Sequence, residues 1–324
     1  MAVIKAAAYG HGLLPVAEAL NAADGLALLD LRDAVQLRDA GFRQTILLLE
    51  GFFTPDDLPL VAGHDLACVI HSPQQIAMLD NYPRRGALQV WLKVNSGMNR
   101  LGFAPREIPA VMEKLKSHAA VRDITLMTHF SHADEAAGVA AQMEVFNALA
   151  APYRVARSLA NSAALLRYPA THADWVRPGI MLYGASPFAD NTAQQLGLRP
   201  AMTLQSRIIS LRELGAGECI GYGGVFRAEA PMRVGVVACG YADGYPRHAP
   251  TGAPVLVEGR RARILGRVSM DMLSVDLSAL PAAEVGSRVT LWGEGLPVEE
   301  VARAAGTISY ELLCARTARV PLVY

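Results

Sequence analysis

The stretch GLALLDLRDAVQLRDAGFRQTILLLE, residues 25–50, contains the pattern that decides the fold. It begins and ends with short apolar runs, GLALLD (25–30) and TILLLE (45–50). The segment between these runs has apolar spacing near 3.6 and ends at Gly41. Nearly continuous apolar character is typical of a strand buried on both faces, and spacing near 3.6 is typical of an amphipathic helix. The stretch therefore predicts one strand–helix–strand unit of a parallel sheet.

The same alternation continues from the start of the chain to about residue 184. The other apolar runs are AVIKA (2–6), LACVI (66–70), LQVWLKV (88–94), ITLMTHF (124–130), RSLAN (157–161) and WVRPGIMLYG (175–184). Eight strands with seven intervening helices predict an α/β fold, a closed (β/α)8 TIM barrel. An open doubly wound sheet is the alternative, but it rarely has eight consecutive parallel strands, and no G-x-G-x-x-G follows a strand here. Residues 185–200 look loop-like, so the eighth helix is expected to lie elsewhere or to be absent.

The pattern changes at about residue 198. Strand-like segments separated by Gly, Pro and Asp turns follow, among them AMTLQSRIISLREL (201–214), RVGVVACGYADG (233–244) and RVTLWGEG (288–295). Turn signals every eight to twelve residues are typical of an all-β domain. The sequence therefore predicts a barrel domain over residues 1–197 and a mainly-β domain over residues 198–324.

The composition excludes several classes of protein. Lys and Arg total 30, as do Asp and Glu, so no basic excess suggests a nucleic acid or an anionic membrane as partner. The four cysteines lie far apart without a C-x-x-C spacing, which favours reduced thiols in a cytoplasmic protein and gives no metal site. No uninterrupted apolar run reaches 18 residues, so no membrane span is expected.

Charged and polar residues follow the predicted strands at their carboxyl ends, where barrels place functional groups. They are Lys5 after strand one, Arg100 after strand five, His129 on strand six, Asn161 and Ser162 on strand seven, and Arg177 on strand eight, with Gly179 and Ile180 behind it. Singly, each has an ordinary explanation, such as a surface arginine, a core histidine or a serine that caps a helix. Their convergence on one rim favours an active site.

These residue types suit pyridoxal 5'-phosphate. A lysine desolvated in a pocket has a lowered pKa, and its neutral amine can form a Schiff base with an aldehyde. Ser162, Gly179 and Ile180 offer a hydroxyl and backbone N–H groups for a phosphate. Arg177 would face the ring nitrogen as a permanent cation, which cannot donate a full proton.

Eight motifs, in order along the whole chain, resemble those of alanine racemases. They are VIKAAAYGHG, KVNSGMNRLGF, LANSA, WVRPGIMLYG, ECIGYGG, CGYADGYPR, GRVSMDM and SYELLC. The resemblance implies a pyridoxal-phosphate-dependent isomerase of fold type III, a barrel followed by a β domain, which works as a head-to-tail homodimer with shared active sites. It would interconvert L- and D-alanine, either to supply D-alanine for peptidoglycan or to catabolise alanine.

The resemblance also implies a role for each matching residue. Lys5 would be the base for D-alanine, and Tyr222, lent by the partner subunit, the base for L-alanine; removing a proton from one face and delivering one to the other needs such a pair. The cofactor contacts would be Lys5, Tyr9, His129, Asn161, Ser162, Arg177, Gly179, Ile180 and Tyr310. Arg100 and Met270 would bind the substrate carboxylate, and Tyr241 and Asp271 would line the entrance. A tyrosine hydroxyl ordinarily titrates near pKa 10, so it needs positive charge nearby, which a chain from Tyr222 through His129 to Arg177 would bring.

Three details of the match bear on activity. Ala7 stands where the family usually has asparagine, and the loss of one amide hydrogen bond is expected to weaken activity without loss of fold. The strand and helix that usually precede the lysine strand do not occur in these 324 residues, and restoring them is expected to raise stability or activity. Lys93 matches a lysine that some members carry as a carbamate.

Two alternatives to an active alanine racemase stay open at this point. One is a truncated, weakly active or non-catalytic pyridoxal-phosphate-binding homologue. The other is a different enzyme of the same fold type, such as a decarboxylase or a racemase for a bulkier amino acid. Tyr241 and Tyr310 at the entrance suggest a small substrate side chain.

Overall fold

The computed structural model describes residues 1–83 and 85–324, which form two compact units. The first unit consists of Met1–Ala8, Gly12–Leu182 and Pro187–Ala189. The second consists of Tyr9–His11, Tyr183–Ser186 and Asp190–Tyr324. Tyr9, Gly10 and His11 therefore belong to the second unit, although Lys5 belongs to the first.

The first unit alternates strands and helices. Its elements are β1 (Ala2–Val3), α1 (Lys5–Tyr9), α2 (Leu13–Ala19), β2 (Gly25–Leu28), α3 (Leu31–Asp39), β3 (Thr45–Leu48), α4 (Asp57–Gly63), β4 (Ala67–Ile70), α5 (Pro73–Asp80), β5 (Leu88–Lys93), α6 (Ile108–Ser117), β6 (Val121–Met127), α7 (Ala140–Ala150), β7 (Ala156–Ser158) and α8 (Ser162–Arg167). Among the described residues, seven parallel strands pair in the order β1-β2-β3-β4-β5-β6-β7. Every residue of β2 and β4 is buried, as their continuous apolar runs predict.

The eighth predicted strand is irregular, which corrects the sequence-based prediction. Trp175 makes an isolated parallel bridge with Ser158, and the Arg177 N–H donates to the Ala160 carbonyl at 2.8 Å. On the other side the Val3 N–H donates to the Pro178 carbonyl at 2.9 Å. The segment thus bonds to both β7 and β1 and closes the ring. Because Pro178 has no N–H to donate, a regular strand ladder cannot form there.

The structure also tests two expectations about helices. The sequence EAAGVAAQMEVFNALAA (135–151) has a helical pattern, but α7 begins only at Ala140, because Gly138 adopts a left-handed φ of 63°. Residues 184–203, all of which are described, contain no helix, which confirms the predicted gap after the eighth segment. Within the described part of the chain, no helix is both long and apolar enough to cross a membrane.

The second unit is built on an antiparallel β-barrel. Its elements are β8 (Leu204–Leu214), β9 (Cys219–Ile220), β10 (Phe226–Arg227), β11 (Met232–Val237), β12 (Pro254–Val257), β13 (Arg260–Leu265), β14 (Leu273–Asp276), β15 (Arg288–Trp292), α9 (Val298–Ala304) and α10 (Ser309–Cys314). The barrel closes in the order β11-β14-β13-β12-β15-β8. Trp292 and Tyr245 stack in its core with ring centroids 5.9 Å apart. The predicted mainly-β second part is confirmed.

Candidate active site

Lys5 lies where β1 ends, at the start of a strained turn. The next four residues, Ala6 to Tyr9, have φ angles of 54°, 49°, 54° and 52°, so α1 is a left-handed turn. The left-handed conformation costs roughly 1–2 kcal/mol for each non-glycine residue. The Ala8 N–H donates to the Ile4 carbonyl at 3.0 Å, and the Gly12 N–H donates to the Ala7 carbonyl at 2.8 Å. These bonds fix the backbone that carries the half-buried Lys5.

Four further nitrogen-bearing side chains lie within electrostatic range of one another and of Lys5: Lys93, Arg100, His129 and Arg177. Lys93 is only 8% exposed, and burial, then Arg177 and Arg100, lower its pKa to about 8. The Glu50 carboxylate acts in the opposite direction. We call these five side chains, Lys5 included, the cationic cluster. Its positive charge suits it to hold anionic groups.

His129 differs from the other members of the cationic cluster because it is uncharged. Burial, then the positive charges of Arg177, Lys93, Arg100 and Lys5, lower the pKa of its imidazole to about 3. The ring is therefore neutral at pH 7 and offers one N–H donor and one nitrogen acceptor. A neutral imidazole among fixed cations can relay hydrogen bonds without changing its own charge.

Arg177 is fixed by neutral acceptors. Its Nη1 donates to the Ser158 hydroxyl at 2.5 Å, and its Nη2 donates to the carbonyls of Thr128 and Leu159 at 2.5 and 3.3 Å. Its side chain is buried, and burial lowers its pKa to about 10, which still leaves it protonated at pH 7. Because these partners are all neutral oxygens, the guanidinium retains its full charge.

The predicted phosphate-binding residues meet between β7 and the eighth segment. The Gly179 N–H donates to the Ser162 hydroxyl at 2.8 Å, and Ser162, Gly179 and Ile180 are all buried. The Asn161 side chain accepts from the Ala164 N–H at 3.0 Å and so caps α8. The ordinary explanation of Ser162 as the helix cap is therefore wrong, because Asn161 fills that position.

Two other predicted cofactor contacts belong to an aromatic group in the second unit. Tyr9 stacks on Tyr183 with centroids 4.6 Å apart, and the Tyr310 ring lies 6.1 Å from Tyr9. Burial raises the pKa of the Tyr9 hydroxyl above its usual value. Gly10 makes this position possible, because a Cβ there would lie 2.1 Å from the Leu313 carbonyl oxygen. The Tyr-Gly-His-Gly turn is thus fixed against α10.

The remaining predicted residues lie on the surface of the second unit. Tyr222 is 71% exposed and sits in a short turn after β9. The N–H groups of Tyr241 and Ala242 donate to the carbonyls of Ser269 and Met270, which places Tyr241 beside Met270. Asp271 pairs with Arg319 at 2.8 Å. The exposure of Tyr222 and Met270 leaves both available to a partner.

Several residues near the cationic cluster were missed by the sequence analysis. Glu50 ends the third apolar run, so a search of every strand end would have found it. Ser158, the last residue of β7, and Thr128, the residue after β6, contact Arg177, and Gln142 contacts the neighbouring loops from a helix. No sequence signal marks these three, because their role depends on tertiary contacts.

The placement of Lys93 predicts a gain of stability when it is removed. We expect Lys93→Met to raise the free energy of unfolding by about 2 kcal/mol at pH 7, because a buried cation among cations is replaced by an apolar chain of similar length. The folded pKa near 8 lies below the ordinary 10.5, so between these values the unfolded chain binds more protons. Wild-type stability therefore rises with pH across that window, and the advantage of methionine shrinks.

Urea unfolding at pH 7 and pH 10 measures this effect. Carbon dioxide must be excluded, since a neutral lysine amine can be carbamylated. Lys114→Met is the control, because Lys114 is an exposed residue of α6 paired with Asp80 and should give no gain. Equal stability of Lys93→Met and the wild type at pH 7 would contradict the prediction.

Comparison with known proteins gives one consistent family. A family model described as alanine racemase, N-terminal domain, matches residues 1–187, and another, alanine racemase, C-terminal domain, matches residues 201–324. The alanine racemase of Nitrosospira multiformis is 64% identical over 326 residues, covering 100% of this chain and 91% of that protein. That of Nitrosomonas eutropha is 57% identical over 328 residues, with the same coverage.

Solved structures of similar proteins belong to the same family. The crystal structure of a biosynthetic alanine racemase from Pseudomonas aeruginosa has a TM-score of 0.97 at 52% identity, covering 99% of this chain and 90% of that chain. The alanine racemase of Acinetobacter baumannii has a TM-score of 0.93 at 41% identity, covering 98% of this chain and 90% of that chain. The similarity thus extends over both units.

Proposed function

Because this chain belongs to the alanine racemase family and interconverts L- and D-alanine, we propose that Lys5 and the Tyr222 of a second copy are its two bases. A racemase must remove a proton from one face of the α-carbon and deliver one to the other, and the Lys5 amine and the Tyr222 hydroxyl can each do both. The observation that carries the proposal is the cationic cluster around Lys5, with neutral His129 and charged Arg177 inside it.

The residues present fit pyridoxal 5'-phosphate. The Ser162 hydroxyl accepts from the Gly179 N–H, so its own hydrogen can be donated to a phosphate oxygen. Arg177 would donate to the ring nitrogen as a permanent cation, and Lys5 would hold the aldehyde carbon. When bound, the cofactor supplies a conjugated ring that draws electron density from the α-carbon and makes its proton more acidic.

His129 and Arg177 would prepare Tyr222 for its role. The neutral imidazole can accept a hydrogen bond from the tyrosine hydroxyl or donate one to its oxygen, according to which form is present. Arg177 contributes a positive charge that stays fixed during the reaction because its pKa near 10 keeps it protonated. Together they would stabilise negative charge on the Tyr222 oxygen without a separate proton donor.

Arg100 and Met270 would bind the substrate carboxylate. Arg100 is exposed at the end of the β5 loop, where it adds to the positive potential of the cationic cluster. A guanidinium binds a carboxylate through two parallel hydrogen bonds, which fixes orientation as well as charge. The backbone N–H of Met270 would add a further donor.

A homodimer is part of the proposal. Tyr222, Val225, Met270 and Met272 are exposed residues of the second unit, between 44% and 71% accessible. Large exposed apolar patches commonly mark protein interfaces, and these four side chains would contribute to one. We further propose a cytoplasmic enzyme that supplies D-alanine; none of the four cysteines, all described, forms a disulfide, and the Pseudomonas neighbour is described as biosynthetic.

One assay tests the cofactor and the activity together. The purified chain with added pyridoxal phosphate should racemise both enantiomers of alanine to an equal mixture and show the visible absorbance of covalently held cofactor. Removal of the cofactor by dialysis against a carbonyl reagent should abolish both signals, and re-addition should restore them. Cofactor absorbance without racemisation would overturn the proposal and support a non-catalytic binding protein.

A further inference from the structure

Gln142 is a buried polar residue that lies outside the predicted active-site set. It lies on α7 and is only 6% exposed. Its Nε2 donates to the His129 carbonyl at 3.0 Å, and its Oε1 accepts from the Ser131 N–H at 2.9 Å and from the Ser131 hydroxyl at 3.0 Å. One amide therefore binds the backbone at His129 and again two residues later, and restricts the position of His129.

The same amide reaches a second loop. Gln142 Nε2 also lies 3.2 Å from the Ser96 hydroxyl, which belongs to the loop between β5 and Arg100. Ser96 in turn bonds to the Thr128 hydroxyl at 2.7 Å, and Thr128 donates to the Val94 carbonyl at 3.0 Å. The network therefore joins the end of β5 to the end of β6.

Arg177 is the third element of this network. Thr128 directly precedes His129 in the chain, and its carbonyl accepts a hydrogen bond from Arg177 Nη2. A displacement of residues 128–131 would therefore move both the acceptor of Arg177 and the backbone of His129. A buried donor or acceptor that loses its partner destabilises the fold, so this segment is strongly held while the Gln142 amide is present.

We propose that Gln142 is a positioning residue for the racemisation, because it fixes the backbone of His129 next to Thr128, the acceptor of Arg177, so that His129 and Arg177 can receive Tyr222 of the second copy. The proposal rests on the proposed function. Gln142 touches neither substrate nor cofactor in this scheme. Its effect is therefore expected on the face of the substrate served by Tyr222, and much less on the face served by Lys5.

Exchange of the substrate α-hydrogen with D2O, followed by NMR for each enantiomer, separates the two faces. Gln142→Leu should lower exchange into L-alanine by about 10-fold or more and exchange into D-alanine by less than about threefold. Gln75→Leu is the matched control. Gln75 is also buried and also bonds to strand-end backbone, at Glu50 and Phe52, but it does not contact residues 128–131. The control should leave the ratio of the two exchange rates unchanged.

A second readout follows His129 itself. In the full chain with 15N-labelled histidine, the His129 pKa should rise toward its usual value in Gln142→Leu, because the ring becomes less buried and leaves its position among the cations. It should not change in Gln75→Leu. If Gln142→Leu proves too unstable, Ser96→Ala removes one partner of the amide and should shift the ratio in the same direction by a smaller factor.

Three outcomes are informative. If Gln142→Leu lowers the exchange rates of L- and D-alanine by the same factor, Gln142 serves stability alone and the inference is overturned. The same holds if this variant changes neither the ratio of the two rates nor the His129 pKa. An altered ratio in Tyr222→Phe together with an unaltered ratio in Gln142→Leu would overturn the inference and leave the proposed function intact. A wild-type chain that does not racemise alanine would overturn the proposed function instead.

Discussion

Lys5→Ala is expected to lower racemisation in both directions by at least about 1,000-fold, because it removes one of the two bases and the only proposed covalent link to the cofactor. The visible absorbance of covalently held cofactor should disappear at the same time. The fold should persist, since Lys5 is half-buried and the turn behind it is fixed by backbone hydrogen bonds. Circular dichroism and the thermal midpoint check the fold, and a coupled assay for each enantiomer checks the activity.

Two controls separate the chemistry of Lys5 from general effects of losing a lysine. Lys114→Ala removes an exposed lysine from α6 and should leave activity and absorbance unchanged. Addition of a small primary amine to Lys5→Ala should restore part of the activity, since the cavity left by the side chain can admit a free base. Normal turnover by Lys5→Ala would exclude the two-base assignment.

Tyr222→Phe is expected to have the second largest effect. Racemisation should fall by at least about 100-fold, because the hydroxyl that serves one face is gone while the ring remains. Exchange of the α-hydrogen with D2O should continue for D-alanine, whose proton goes to Lys5, within about threefold of wild type. Exchange of the α-hydrogen of L-alanine should fall to the same extent as racemisation. Tyr153→Phe, which removes a hydroxyl from the first unit, is the control and should change neither rate.

Co-expression of the two inactive variants tests whether the site is shared. In a dimer of one Lys5→Ala chain and one Tyr222→Phe chain, one site lacks both bases and the other has both. If chains pair at random, about a quarter of wild-type activity should return. No return of activity would show that both bases come from one chain, and equal exchange of both enantiomers by Tyr222→Phe would remove Tyr222 from the mechanism.

Most of the fold was predictable because its strands are buried on both faces. Residues 25–28 and 67–70 are apolar without interruption, and a helical period separates such runs. The eighth segment was harder to predict, because its apolar residues surround Arg177 and Pro178. These two residues serve the site and interrupt the ladder, so a pattern of hydrophobicity predicts the place of this segment in the ring but not its irregular backbone.

The candidate site was predictable where side chains follow strand ends. That rule selected Lys5, Arg100, His129, Ser162 and Arg177, which the structure places at the ends of β1, β5, β6 and β7 and in the eighth segment. Their chemical roles stay predictions.

The groups that fix these side chains were not predictable, for a physical reason. Gln142 and Thr128 donate side-chain hydrogen bonds to backbone carbonyls distant in sequence, and a glutamine in a helix or a threonine after a strand has no distinctive spacing. The charge state of His129 likewise depends on neighbours from other strands, so only the assembled barrel determines it.

The left-handed turn behind Lys5 has a consequence for substitution tolerance. Ala6 and Ala7 are exposed, and an exposed alanine ordinarily accepts almost any side chain. Here the backbone excludes β-branched residues such as valine and isoleucine, whose side chains disfavour this region most, and it favours glycine and asparagine. The choice of side chain at these two surface positions is therefore limited by the backbone conformation and not by packing.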